Sequence, residues 1–196
     1  MKKTIFVLSI VTALLLVMGI ITKMNFAQKN SNISKDLENK KNLVAYFSHT
    51  GNTREIANQI HNITDSDIFE IKPIEDYPNN YQAVVDQAKK EINLNYKPAL
   101  KTQIKNIESY DVIFVGSPNW WGTIAPPVAT FLSTYNFEGK TIIPFITHGG
   151  SHMGRSVSDI KTLCPTAYIT DSHSFWGSSV YSAQNEVSEW LEKTPD

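Results

Sequence analysis

Residues 42–196 predict a doubly wound α/β fold, a parallel sheet of five strands with helices on both faces. Three observations carry this reading. Apolar runs alternate with amphipathic runs five times along the chain. Two of the apolar runs, "DVIFVGS" and "TIIPFIT", are continuously apolar and β-branched, as strands covered on both faces are. The loops that leave the first, third and fourth strands are the richest in Gly, Thr and aromatic residues, and in such folds ligands bind beyond the carboxyl ends of strands where the chain order reverses.

Taken in order, residues 43–47 read as the first strand and 53–61 as the first helix. Residues 67–73, "DIFEIKP", alternate as a short strand, and 80–93 have a helical period. Residues 111–117 form the doubly covered third strand, and 127–135 follow as a helix with Pro127 near its start. Residues 141–147 are a further buried strand, 156–163 a helix, 166–170 a fifth strand and 183–193 a closing helix.

Ahead of this domain, Lys2 and Lys3 precede an apolar run from Ile5 to Ile21, broken only by Ser9, Thr12 and Gly19. The run is close to the roughly 20 residues that cross a bilayer and slightly longer than the usual signal-peptide core of about 7–15 residues. Residues 1–22 are therefore expected to be a signal peptide or an N-terminal membrane anchor. Cleavage after Ala27 would place Asn25 where a small residue is preferred, and the sole cysteine, Cys164, supplies no lipid-attachment site. In either case the positive flank stays inside, so the expected location is extracytoplasmic, secreted or anchored to the cell membrane. Residues 23–41 are polar and charged, the composition of a linker.

Residues 1–41 hold seven lysines and two acids, which leaves 11 basic and 17 acidic residues in the domain. A net acidic surface repels nucleic-acid phosphates, so no nucleic-acid partner is expected. One cysteine excludes an internal disulfide.

The first informative loop is "SHTGNT", 48–53. Asn52 with Glu55 three residues later has the spacing of a capping box, so the turn feeds a helix N-terminus, which attracts anions. Hydroxyls of Ser48, Thr50 and Thr53, with backbone N–H groups near Gly51, suit a phosphate monoester without a lysine. Neither a Walker loop nor a dinucleotide fingerprint is present, and a plain capped turn is the alternative. The second loop, "SPNWWGTIAPP", sets two adjacent indoles beside Gly122. It reads as a wall for a planar heteroaromatic ligand or as a hydrophobic plug. The third, "THGGSHMG", brings three glycines and their main chain toward the same place.

These three motifs, in this order, resemble the flavodoxin-like FMN-binding family, and the resemblance extends over 42–193, including "DYPNNYQAVVDQAKKEI" and the terminal "FWGSSV…VSEWLEK". It implies strand order 2-1-3-4-5 and one FMN at the switch between strands one and three. By matching positions, Ser48, His49, Thr50, Gly51, Asn52 and Thr53 would hold the 5′-phosphate. Pro118, Asn119, Trp120, Trp121 and Gly122 would line one side of the isoalloxazine, and Thr147, His148, Gly149 and Gly150 the other. Both tryptophans are expected to touch the ring. The chain departs from small soluble flavodoxins in its amino-terminal run, and it lacks the long last-strand insertion of long-chain members.

The resemblance implies an FMN redox protein of the flavodoxin electron-transfer type, working with a redox partner protein or a small electron acceptor. An NAD(P)H-dependent quinone or flavin oxidoreductase is the alternative, and a flavin-free binding module of the same fold a second one. No catalytic residue is assigned. A hydrolase is excluded because "GGSHMG" is not a nucleophile elbow. His148 and His152 have a metal-like spacing but no accompanying H-E-x-x-H, and no metal is expected. His61 and His173 read as surface or loop residues, Cys164 as a small core residue, and Tyr77 and Tyr81 as packing residues or caps on the cleft's open edge.

Overall fold

The computed structural model describes residue 24 and residues 40–170 and 172–194. The expected leader and nearly all of the expected linker lie outside the described residues. Among the described residues, no helix is long and apolar enough to cross a membrane.

The chain enters the fold at Lys41, whose backbone N–H donates to the Asp111 carboxylate at 2.8 Å. The elements are β1 (Asn42–Tyr46), α1 (Asn52–Thr64), β2 (Asp67–Glu70), α2 (Tyr81–Asn93), β3 (Val112–Trp120), β4 (Thr123–Ile124), α3 (Pro126–Thr134), β5 (Thr141–His148), α4 (Ser156–Leu163), β6 (Tyr168–Ile169), β7 (His173–Trp176) and α5 (Gln184–Lys193). The sheet runs β2-β1-β3-β5-β6, all parallel, with β7 also parallel on β5 and β4 antiparallel on β3. This is the expected doubly wound order, with β6 and β7 together in the place of the fifth strand.

Strand periodicity divides the core into two layers. On β1, Leu43 and Ala45 face a cluster with Ile113, Val115, Val128, Phe131 and Ile160. Val44 and Tyr46 face the other, with Phe114, Phe145, Ile56, Ile60, Val187 and Leu191. Gly116 keeps the two central strands in contact, because a Cβ there would lie 2.2 Å from the Phe145 ring.

Three departures from the sequence reading have physical causes. The fifth strand is not one piece over 166–170 but β6 and β7, and β7 went unforeseen. Pro144 is the cause. It occupies the gap between the β5 residues that pair with β6 and those that pair with β7, and proline has no N–H to give an edge partner. Second, the third strand runs on to Trp120 and turns back through β4. The two-residue loop, Trp121 and Gly122, has φ of 53° and 80°, and positive values at both centres are those of the hairpin turn that matches strand twist. Third, α1 has no capping box. Gly51, at φ 97°, is the N-cap and makes no side-chain cap, while Glu55 accepts instead from Gln59. The Asn motif appears one helix later, where Asn80 accepts from the Ala83 N–H and starts α2.

Candidate functional site

The carboxyl ends of β1, β3 and β5, with the exit from β7, surround one cleft of about 830 Å³. It sits where β1 connects to β2 on one side and β3 lies on the other, the switch point of the topology. No lining residue carries a permanent charge.

Of the expected residues, His49, Thr50, Asn52, Pro118, Asn119, Trp120, Trp121, Gly122, Thr147, His148 and Gly149 line the cleft. Ser48, Gly51, Thr53 and Gly150 stand behind it as framework. The Ser48 hydroxyl accepts from the Gly51 N–H at 3.1 Å and closes the first turn. Thr53 is buried and its hydroxyl meets that of Thr147 at 2.8 Å, which ties the first loop to the third. The Gly150 N–H donates to His148 Nδ1 at 3.0 Å.

A second brace is Asn119. Its Oδ1 accepts from the Gly122 N–H at 2.9 Å, and its Nδ2 donates to the His152 carbonyl at 2.7 Å. Next to it the Arg155 N–H donates to the Gly122 carbonyl at 2.7 Å. The approach is so close that a Cβ on Gly154 would lie 2.3 Å from that carbonyl oxygen. All three loops are thus held together by polar contacts that leave the cleft itself free.

The two tryptophans have different surroundings. Trp120 is partly buried and packs edge-on against Phe47 at 5.4 Å and Tyr77 at 4.8 Å. Tyr77 in turn donates to the buried Glu91 carboxylate at 2.5 Å, and burial first, then Glu91, raises its phenol pKa. Trp121 is 48% exposed. Its Nε1–H donates to the Val85 carbonyl of α2 at 2.9 Å, and Lys89 Nζ lies 4.6 Å from its ring. Arg54 is paired with Glu70, away from the lining.

Sequence reasoning missed two walls. One is α2, of which the sequence reading weighed only Tyr81, as a cap on the cleft's open edge, and which also contributes Val84, Val85 and Ala88. The other is the end of β7 and the turn after it, which bring Trp176, Gly177 and Ser178. Gly177 lies close to the first loop: a Cβ there would be 2.7 Å from Asn52 Nδ2, and the amide would have to shift to admit it. The signal for it was in "FWGSSV", which places an indole and a glycine after a strand as "PNWWG" does. The His148 and His152 rings pack with centroids 4.6 Å apart and planes tilted by 44°, and no group of three or more His, Cys, Asp or Glu suited to a metal occurs among the described residues.

The comparisons with known proteins follow the same geometry. A family model described as flavodoxin matches residues 41–194. A protein from Bacteroides uniformis designated a flavoprotein is 29% identical, with TM-score 0.71, over 79% of this chain and 99% of its own. A second, from Bacteroides eggerthii, is 29% identical with TM-score 0.65, over 76% and 99%. A flavoprotein from Lactobacillus acidophilus, crystallised in complex with FMN, is 26% identical with TM-score 0.58, over 74% and 99%. No curated protein matches the chain. The family match runs from Lys41, where the chain enters the sheet, to the end of α5, and so takes in every loop of the cleft: the chain belongs to the flavodoxin family.

Proposed function

We propose that this chain binds FMN in the cleft and carries electrons between partners outside the cytoplasmic membrane. One observation carries the cofactor assignment. The N-terminus of α1, with Thr50 and Asn52 beside it, opens into an uncharged cleft that indole and imidazole rings also line. The first N–H groups of a helix have no partner within it and bear partial positive charge, so this end suits a phosphate without a cationic side chain. Rings such as Trp120 and Trp176 suit a planar heteroaromatic system. At Gly149 nothing lies within 4 Å of where a Cβ would be, so main chain can approach a ligand there. The FMN complex of the Lactobacillus relative supports the same cofactor.

When bound, FMN supplies reversible uptake and release of one or two electrons. The chain's own residues do the rest. Ser48 and Gly51 fix the turn, Thr50 and Asn52 meet the phosphate end, the Thr53–Thr147 and Asn119 braces hold the three loops at fixed spacing, and Trp120, Trp176 and His148 enclose the ring. The expected extracytoplasmic location, where nicotinamide nucleotides are scarce, and the acidic domain favour exchange with a redox partner protein.

A second reading, an NAD(P)H-dependent quinone or flavin reductase, is favoured by the α2 wall. Tyr81, Val84, Val85 and Ala88 widen the cleft to near the upper end of ligand pockets, about 1,000 Å³. Stopped-flow mixing of the FMN-loaded chain with NADH or NADPH, then with a quinone, separates the two. Slow, unsaturable reduction is expected of the carrier; fast, saturable reduction establishes the reductase.

A further inference from the structure

A second groove, of about 330 Å³, is lined by the end of α2, by β4, by the start of α3 and by α4, and it shares no residue with the cleft. Its size is at the lower end of ligand pockets, which begin near 300 Å³. The floor is the edge of the core: Ile124 is buried in the cluster against which Ala129 and Leu163 pack. The turn that ends α2 forms one side. Asn95 takes a left-handed φ of 48°, its N–H donates to the Ile92 carbonyl at 3.1 Å, and the Tyr96 N–H donates to the Glu91 carbonyl at 2.8 Å. These are the two bonds of a Schellman motif, so a closed turn presents the half-exposed Tyr96 ring and the Lys97 ammonium to the groove. The charges of the lining are unequally engaged. The buried Glu91 carboxylate accepts from Tyr77 and Gln87, and Asp159 Oδ2 accepts from Thr123 and from Arg155 Nε. Arg155 thus uses one of its side-chain nitrogens, and Lys97 has no ion-pair partner among the described residues.

We propose that this groove is a second ligand site, which takes a small monocarboxylate with an aromatic body. The carboxylate is held by Lys97 Nζ and by the unused arms of the Arg155 guanidinium, whose planar fork matches it. The body rests on the floor of Ile124, Ala129 and Leu163 with the Tyr96 ring beside it. The two acids and two bases of the lining sum to zero, so one negative charge meets two cations with donors to spare, whereas Glu91 and Asp159 would oppose a dianion more strongly. The assignment does not depend on what the cleft binds. It does bear on the cleft's outer wall, because α2 lends Glu91 to the groove and Ala88 to the cleft. A ligand bridging Lys97 and Arg155 ties the end of α2 to α4.

The test titrates the full chain, with isotope-labelled Ile and Leu methyl groups, with 3-phenylpropionate and with the matching alcohol and amine. The acid is expected to shift the methyls of Ile92, Ile124 and Leu163 saturably, and the alcohol to bind several-fold more weakly. Lys97→Gln and Arg155→Gln are each expected to weaken the acid about threefold, as partly exposed charges do, and Ala129→Leu, which fills the floor without changing charge, to abolish binding. Protease cleavage within α2 is expected to slow as the groove fills. Absence of a saturable shift at millimolar acid would overturn the site. Equal binding of acid and alcohol would overturn the role of the two cations, and tighter binding of the amine would reassign the groove to cations held by Glu91 and Asp159. Displacement of the acid by FMN, or shifts centred on Trp120 and Trp176, would place the probe in the cleft and overturn the proposal, and unchanged cleavage at saturation would overturn the bridge from α2 to α4.

Discussion

The inner and outer walls of the cleft are built on different principles. The inner wall is made of strand ends and the loops that leave them, and its braces are short: Thr53 to Thr147, Asn119 to Gly122 and His152, and Arg155 to Gly122. The outer wall is α2, which buries only Val84, Ala88 and Glu91, whereas α1 buries seven residues. The segment holding α2 is closed at its base by Ile74 N–H to Ala99 and by the bridge from Pro73 to Leu100. Above that base it is tethered by His49 Nε2–H to the Pro78 carbonyl, by Trp121 to Val85 and by the Tyr77 ring against Trp120. The inner wall thus inherits its shape from the sheet, while the outer wall depends on a handful of contacts near the surface. The side formed by the strand ends is braced within the sheet, and the α2 side buries fewer residues and is tied to it by fewer contacts.

The strongest way to break that contrast is to strain the inner brace. Gly154→Ala puts a Cβ against the Gly122 carbonyl at a residue whose φ is 54°, and overpacking with left-handed strain is expected to cost about 3 kcal/mol. Gly122→Ala, also at positive φ but with open space around it, should cost only about 1 kcal/mol. Urea unfolding of both variants checks the difference, and equal costs would show that the close approach carries no weight.

The adjacent tryptophans sharpen the comparison within two residues. Trp120→Leu removes a ring packed among Phe47, His49 and Tyr77 and is expected to destabilise by about 2 kcal/mol. Trp121→Leu removes an exposed tether and should cost under about 1 kcal/mol, with its effect seen as faster proteolysis in α2. Loss of stability in the reverse order would exchange the roles assigned to the two walls. Thr53→Val deletes the buried hydroxyl contact and leaves Thr147 unpaired, for a loss of about 1–2 kcal/mol by thermal unfolding.

The smallest effect concerns pH. The depressed pKa of His148 means that the unfolded chain takes up its proton before the folded one does as pH falls below the ordinary histidine value of 6.5. The associated stability is complete above that value and is lost as pH falls toward the folded pKa. His148→Gln should flatten this part of the stability profile, and an unchanged slope would assign it to other groups.

The inner wall was legible in the sequence because strand periodicity and glycine punctuation are local. "DVIFVGS" and "TIIPFIT" announce buried strands, and the loops after them carry Gly122, Gly149 and Gly150. The outer wall was not. The helical period of 80–93 was visible, but nothing local says that Val84, Val85 and Ala88 line a cleft. Asn52 and Glu55 have capping-box spacing, yet the backbone gives the cap to Gly51, since a left-handed residue is needed where the strand turns into the helix. Trp121 and Trp120 look equivalent as letters. The turn residues Trp121 and Gly122 separate them by reversing the chain, which sends one indole inward and the other out to α2. Thr53 reads as a phosphate residue, and its contact with Thr147, 94 positions away, is one that no spacing rule reveals.

The central claim is that the helix terminus and the hydroxyl turn hold a phosphate without a cation while rings enclose a flavin. Calorimetric titration of the full chain with FMN and with riboflavin tests it most directly. The account predicts one FMN per chain, accompanied by quenching of tryptophan fluorescence, and riboflavin binding weaker by at least about tenfold, since hydrogen bonds to a charged group contribute about 1.5–3 kcal/mol each. Equal affinity for the two would contradict the phosphate cradle, and no binding of either would contradict the flavin site altogether.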